Sequence, residues 1–395
     1  MARRLKAAVA GAGLGGLFAA AALARAGLDV TVCEAAPALG EVGAGIQISP
    51  NGARLLARVG ALEAVARQSV APEAAAMRRG EDGGLIFSLP LGAAAVRRWG
   101  APYLQVHRAD LLAALRDAAA AAGARLRLGA RATGAADGAL LLGQGAEEAD
   151  VVLAADGVRS TLRAALFGPV SPRFLGHVAW RATVPAEAAP GWAKPEATVW
   201  AGAGRHLVTY PLRAGALVNV VAVVERASWE GDGRTAESWS APGAPDEMRA
   251  AFAGWAAAPL LAAVERCFLW GLFDRPPPPS WSRGRTALLG DACHPMLPFM
   301  AQGAVQAIED GAALARLLRG ARPDGVEAAL AAYEAARRGR AEAVQARARA
   351  NAGLFHQRPG PARALRRGVL GLGARLAPAL AMGRLDWLYG HVEPA

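Results

Sequence analysis

Residues 5–34 read LKAAVAGAGLGGLFAAAALARAGLDVTVCE, and the fold class turns on how this stretch is parsed. Arg3 and Arg4 followed by an uncharged run over 7–24 resemble a signal peptide or a marginal membrane helix. The string GAGLGG in its middle argues against both, because an exported apolar segment is normally richer in leucine and poorer in glycine. The better parse is a strand over 5–10, a loop, a helix over 14–26 and a second strand over 29–34, the opening of a βαβ unit. Gly11-x-Gly13-x-x-Gly16 then follows a strand and opens a helix, the setting a dinucleotide fingerprint requires. Gly11 makes the tight turn, Gly13 lets a pyrophosphate approach, and Gly16 packs helix on strand. The phosphates would sit at the positive end of the helix. Glu34, ending the second strand, is placed to accept hydrogen bonds from an adenosine ribose. Cleavage of the run as a leader would remove this fingerprint, so the sequence predicts a cytoplasmic protein that retains it and has no membrane span.

Working outward, residues 74–89 predict a hairpin turning at Asp82-Gly83-Gly84. A helix is expected over 108–122, amphipathic through Leu111, Leu112 and Leu115, and a buried strand over 151–154. From about 170 to 274 the pattern becomes antiparallel. Residues 197–225, ATVWAGAGRHLVTYPLRAGALVNVVAVVE, give three extended runs broken at Gly202-Ala203-Gly204 and Arg213-Ala214-Gly215, a β-meander unlike the α/β stretches around it. Pro276 to Pro279 form a stiff connector, followed by a buried strand over 286–289 and a long helix from about 303.

Composition narrows the functional classes. The formal charge of +11 and pI near 10.7 invite a nucleic-acid reading. Yet Lys6 and Lys194 are the only lysines among 44 basic residues, and the arginines are spread out except around Arg337, Arg338 and Arg340. No aromatic and basic residues interleave into a strand-binding motif, so no nucleic-acid partner is expected; the charge could still draw in anionic substrates. Cys33, Cys267 and Cys293 have no metal spacing and no disulfide framework, so no metal is expected.

Alone, the fingerprint does not separate FAD from NAD. Three further stretches do so by likeness. Residues 288–310, LLGDACHPMLPFMAQGAVQAIED, resemble the ribityl-binding motif of class A flavoprotein aromatic hydroxylases, the p-hydroxybenzoate hydroxylase group. LAADGVRSTLR at 153–163 resembles their Asp-Gly motif, and HRADL at 107–111 the segment whose arginine contacts FAD. GEVGAGIQISPNG (40–52), AWRATVP (179–185), HLVTYPL (206–212) and DWLYGH (386–391) are most similar to 3-hydroxybenzoate 6-hydroxylase, salicylate hydroxylase and 6-hydroxynicotinate 3-monooxygenase.

The resemblance implies an α/β fold: a Rossmann-like FAD-binding domain (1–72, 98–170 and 280–350) with an inserted substrate domain (a hairpin at 73–97, an antiparallel sheet at 171–279) and a C-terminal helical segment (351–395). It implies FAD, with NADH or NADPH as reductant, O2, a flavin hydroperoxide and a small aromatic substrate; a homodimer is compatible with it. Asp291 would bind the ribityl chain and Arg108 the flavin side of the cofactor, with Pro298, Gly303 and Ala304 beside it. Asp156 would serve both FAD and the pyridine nucleotide. A carboxylate such as Asp291, at the end of a buried strand, is costly unless hydrogen-bonded, and sugar hydroxyls can satisfy it. The free N–H groups of the helix from 303 would stabilise negative charge on a reduced flavin.

Strand alternation puts His206, Val208 and Tyr210 on one face. By resemblance His206 and Tyr210 face the substrate and Gln302 is an active-site glutamine. His206 could take a phenolic proton and Tyr210 donate a hydrogen bond that orients the ring; without the resemblance, both read as core residues. His294 reads as packing or hydrogen-bonding beside the flavin. Phe299 sits where relatives often place Tyr or His, which implies a more apolar pocket; no pocket arginine stands out to clamp a carboxylate, and Arg181 reads equally as a clamp or as a structural residue. A flavin-dependent dehydrogenase on the same fold and a non-catalytic redox sensor remain the rival readings.

Overall fold

Small apolar residues fill the segments around the fingerprint so completely that both faces of each strand are buried, the pattern of a parallel sheet covered by helices. In the computed structural model, which describes all residues except 1–2, 41–43, 137, 230–240, 357, 359 and 395, Lys6–Ala10 lies at the centre of a six-stranded sheet. It pairs in parallel with Asp29–Cys33 on one side and Val151–Ala154 on the other. Thr286–Leu288 and Arg125–Arg127 extend the parallel set, and the short antiparallel Ser282–Arg283 closes one edge. Leu14–Arg25, Arg108–Ala121 and Gly303–Leu318 cover the sheet. Gly311 lets two of these helices meet closely, since a Cβ there would fall 2.9 Å from the Phe18 ring and 3.0 Å from Ala19 Cα.

The second sheet has eight strands, and Pro242–Gly243, Cys267–Asp274, Arg173–Pro185, Leu217–Glu225, Arg205–Leu212, Glu196–Gly202, Ala74–Arg79 and Leu85–Pro90 follow one another across it. The expected hairpin is present, with Gly83 at φ +74° and Asp82 paired with Arg79. The three meander strands also fall where the sequence puts them. The sheet departs from a purely antiparallel one at a single pair, because the hairpin docks on Glu196–Gly202 in parallel. That pairing joins segments more than a hundred residues apart.

The two faces of this sheet have different neighbours. Leu207 turns toward Trp180, Met248 and Phe252, in a core capped by helices Pro245–Ala251 and Ala258–Ala262. His206 turns the other way, against Phe299 and against Phe355 at the end of the 30-residue helix Val326–Phe355. The antiparallel pair Gly45–Ile48 and Leu104–His107 bridges the sheets and feeds directly into the helix that begins at Arg108. Residues 41–43 of the GEVGAG stretch lie outside the described residues.

Candidate active site

The three fingerprint glycines sit in different surroundings. Gly11 has φ +103°, and a Cβ there would meet the Ala155 carbonyl oxygen at 2.6 Å. At Gly16 a Cβ would lie 2.0 Å from the Gly11 carbonyl oxygen, so helix and turn touch through bare backbone. Gly13 is different: nothing stands within 4 Å of its missing side chain, leaving space at the end of a helix that has no side-chain cap. The N–H groups of such an end are ready donors to a phosphate. Glu34 braces the loop, accepting from Ala12 N at 2.7 Å and Ala36 N at 2.8 Å. A carboxylate has about four acceptor positions, so capacity for a ribose remains.

A second cluster forms where Thr286–Leu288 ends. Gly290, at φ +61°, turns the chain and presents Asp291 to the start of Gly303–Leu318. A Cβ on Gly303 would sit 3.9 Å from Asp291 Oδ1. Arg108 and His294 are near enough to oppose the burial that pushes the Asp291 carboxyl upward. Burial pulls the Arg108 guanidinium down, and Asp291 works against it. Asp291 and Arg108 are surrounded by protein yet keep some accessible surface, as groups lining a cleft do. Ala301 holds the left-handed conformation at φ +52°, just before a helix end that lacks a side-chain cap. Ala304 packs partly buried against the core, and Pro298 is exposed. The open Gly13 cradle, Glu34, and a carboxylate facing a bare helix end together fit a dinucleotide with a polyol chain.

Asp156 accepts from Ser160 Oγ at 2.5 Å and Leu162 N at 3.1 Å, which ties it to the start of helix Thr161–Phe167. Burial raises its carboxyl and these hydrogen bonds oppose the shift. Gln302 is buried and its amide is already engaged: it donates to Ser49 Oγ at 2.9 Å and accepts from Asn51 at 3.4 Å. His206 and Tyr210 are not among its partners.

Tyr210 lies under the start of strand Gly45–Ile48, where a Cβ on Gly45 would stand 2.8 Å from the phenol oxygen. Burial pushes the Tyr210 hydroxyl up to about 12, against the pull of Arg181 and of a hydrogen bond with Gln47. Arg181 stacks on Trp270 at 4.8 Å and donates to the Gly45 carbonyl at 3.0 Å; burial brings its guanidinium down to about 10. Tyr210 attracts and Arg108 repels that charge, so the meander and the Asp291 cluster share one electrostatic neighbourhood. Four residues along the strand, roughly 13 Å at the usual rise, His206 is 1% exposed and walled by Phe299 and Phe355 at 5.1 and 5.0 Å between ring centres. Burial, with His356 and His177 nearby, takes its imidazole well below the usual range and keeps it neutral.

The partners of several groups could not be read from the sequence. Arg337, one of the basic cluster there, is in fact buried, pairing with Glu309 at 2.6 Å and Asp310 at 2.9 Å. Asp310 also accepts from Gly290 N at 2.9 Å and His294 Nε2 at 2.6 Å, so His294 secures the turn that presents Asp291. Glu225 and His356 join His206 from the far side, and His177, Glu225 and His356 place one donor atom each within 4.8 Å of one another. Two of them, Glu225 and His356, already bond each other at 3.0 Å, while His177 Nδ1 is taken by the Leu175 carbonyl. Glu225 ends its strand with no motif to mark it, and His356 lies beyond the last quoted motif but one.

The family model described as FAD binding domain matches residues 4–348. The chain belongs to that family. Among its relatives, the 3-amino-4-hydroxybenzoate 2-monooxygenase PtnB3 of Streptomyces platensis is 40% identical, with 98% of this chain and 96% of the relative covered. The 6-hydroxynicotinate 3-monooxygenase of Pseudomonas fluorescens is 42% identical over 86% of this chain and 89% of its own. Among solved structures, Klebsiella pneumoniae HpxO complexed with FAD and uric acid superposes with a TM-score of 0.80 at 29% identity, covering 96% of both chains. The expected class is therefore met: an FAD-dependent aromatic hydroxylase. No helix among the described residues is long and apolar enough to cross a membrane.

Proposed function

We propose that this protein is an FAD- and NAD(P)H-dependent monooxygenase that hydroxylates a small hydroxyaryl acid, of the hydroxybenzoate or hydroxynicotinate type named for its relatives. FAD, when bound, supplies the activation of O2 with electrons taken from NADH or NADPH. Gly11, Gly13, Gly16 and Glu34 would hold its adenosine diphosphate half. Asp291 and Arg108 would hold the ribityl and flavin side, with Pro298, Gly303 and Ala304 at the flavin's edge. Asp156 is assigned to FAD and the pyridine nucleotide. Residues 1–72, 98–170 and 280–350 serve as the cofactor domain, 73–97 and 171–279 as the substrate domain, and 351–395 as a helical closure. A cytoplasmic location and a homodimer go with this reading.

One observation carries it. His206 and Tyr210 alternate onto one face of their strand, His206 against Phe299 of the 288–310 stretch and Tyr210 beside Arg181, whose charge Arg108 opposes; burial favours the neutral form of both. A neutral imidazole can accept the substrate's phenolic proton, which raises electron density on the ring. Tyr210, whose hydroxyl keeps its proton across the working range, donates a hydrogen bond and fixes orientation. Arg181, held by Gly45 and Trp270, offers a cation to the substrate's carboxylate. Phe299 and Phe355 exclude water beside His206. Gln302 braces Ser49 and Asn51 against the cofactor helix.

The test is His206→Ala in FAD-loaded enzyme. NAD(P)H should still reduce the flavin, while hydroxylation falls by about 10²–10⁴-fold, the usual worth of acid–base assistance. The reduced oxygen should then leave as hydrogen peroxide. Hydroxylation near the wild-type rate with an unchanged pH profile would return His206 to the core.

A further inference from the structure

Two side chains from different parts of the chain line up behind the proposed base. Glu225 Oε1 lies 3.0 Å from His356 Nδ1, and His356 Nε2 lies 2.6 Å from His206 Nδ1. The order of protons along this line follows from the chemistry of its end. A carboxylate only accepts, so the proton of the first contact resides on His356 Nδ1. His356 Nε2 is then an acceptor, and the proton of the second contact belongs to His206 Nδ1. That leaves the lone pair of His206 on Nε2, which no other described residue bonds.

We propose that His356 and Glu225 form a proton wire that fixes the base-competent tautomer of His206 and carries the substrate's phenolic proton from the closed site to solvent. The proposal rests on the reading of His206 given above. The substrate O–H bond breaks and its proton goes to His206 Nε2. The Nδ1 proton of His206 passes to His356 Nε2, and the Nδ1 proton of His356 passes to the Glu225 carboxylate and then to water. Reversal of the same steps returns a proton to the product oxygen, so the wire resets without ring rotation.

The surroundings make such an exit necessary. His206 is buried among Phe299, Phe355 and two other imidazoles, an environment that disfavours a resident imidazolium. Glu225, at the end of its strand, has a side chain 46% exposed and can exchange with water. His177, on Arg173–Pro185, stacks near His356 at 5.2 Å with Nδ1 on the Leu175 carbonyl. Arg367 reaches the carbonyl of Ala201, the cross-strand neighbour of His206. Burial and His177 lower the imidazole of His356, and the hydrogen bond with Glu225 opposes them. His356 and Glu225 act only through His206, as positioning residues.

The test uses FAD-loaded enzyme with 6-hydroxynicotinate, 3-hydroxybenzoate and 3-amino-4-hydroxybenzoate as probes. It records turnover, the fraction of NAD(P)H consumption that gives hydroxylated product, and the pH at which the bound probe ionises by difference absorbance. His356→Ala should retain FAD and bind the probe with KM within about twofold, but lose about tenfold or more in kcat and in coupling. Its bound probe should ionise at higher pH, and added imidazole should restore part of the rate. Glu225→Gln keeps an acceptor for His356 but cannot take the proton, so it should show the same shift in smaller measure without touching the core. If wild-type enzyme turns over a probe while Glu225→Gln ionises and couples it as wild type does, the wire is wrong and the function stands. This variant decides alone should His356→Ala not fold. If wild-type enzyme hydroxylates none of the three, the underlying reading fails instead.

Discussion

Asp291 shows what a single residue contributes here. Its carboxylate follows the end of a buried strand, raised by burial and eased by His294 and Arg108, and it faces a helix end with no side-chain cap. A charge so placed needs polar partners, and a polyol chain can supply them. Asp291→Ala should therefore lose most FAD affinity while the apoprotein still folds. Equilibrium dialysis or flavin fluorescence during reconstitution checks this, and a tight holoenzyme from the variant would remove Asp291 from the cofactor site. Its position was legible because Gly-Asp after an apolar strand is a local pattern, whereas the ribityl role came only from the resemblance. Tyr210 and His206 were legible for a related reason, since alternation in one strand fixes which residues share a face. Gln302 was legible as a position, but its bonds to Ser49 and Asn51, about 250 residues away, were not.

At the scale of elements, the cofactor helix Gly303–Leu318 and the long helix Val326–Phe355 are joined by a buried ionic knot. Arg337 is 1% exposed and lies between Glu309 and Asp310, neither of which is exposed at all. Removing one partner from such a group strands the remaining charges, so Arg337→Ala should cost about 3–5 kcal/mol. Denaturant unfolding of the apoprotein measures it, and a loss below about 1 kcal/mol would mean that water reaches the site freely. The sequence announced a basic cluster on this helix without saying which arginine turns inward. Alanine dominates its faces, so there is little amphipathic contrast to read. The parallel docking of Ala74–Arg79 on Glu196–Gly202 was hidden for another reason. Hairpins and meanders are local and announce themselves through glycines at the turns, whereas a pairing across more than a hundred residues leaves no periodicity.

For the whole molecule, the buried charges set how stability depends on pH. Burial pushes Glu309 and Asp310 upward, but the Arg340 and Arg337 contacts of the first, and the His294 and Arg337 contacts of the second, outweigh it and hold both at about 2. Their contribution is fully present above the ordinary carboxylate values of 4.5 and 3.8 and is lost as pH falls toward about 2. His206 and His356 are lowered from 6.5, so the unfolded chain takes up protons first as pH drops below that value. The melting temperature should decline gently below about pH 6.5 and steeply below about 4.5; a flat profile from neutral pH to about 3 would contradict these environments. The net charge of +11 is spread over a surface of arginines and complements an anionic substrate without defining one. The central claim is oxygen insertion into a hydroxyaryl ring, and labelled oxygen tests it most directly. FAD-loaded enzyme is supplied with NADH or NADPH, 18O2 and each of 6-hydroxynicotinate, 3-hydroxybenzoate and 3-amino-4-hydroxybenzoate. At least one should accelerate NAD(P)H oxidation and emerge with one labelled oxygen atom on its ring. Reductant consumed with all label in hydrogen peroxide, or product formed without label, would contradict it.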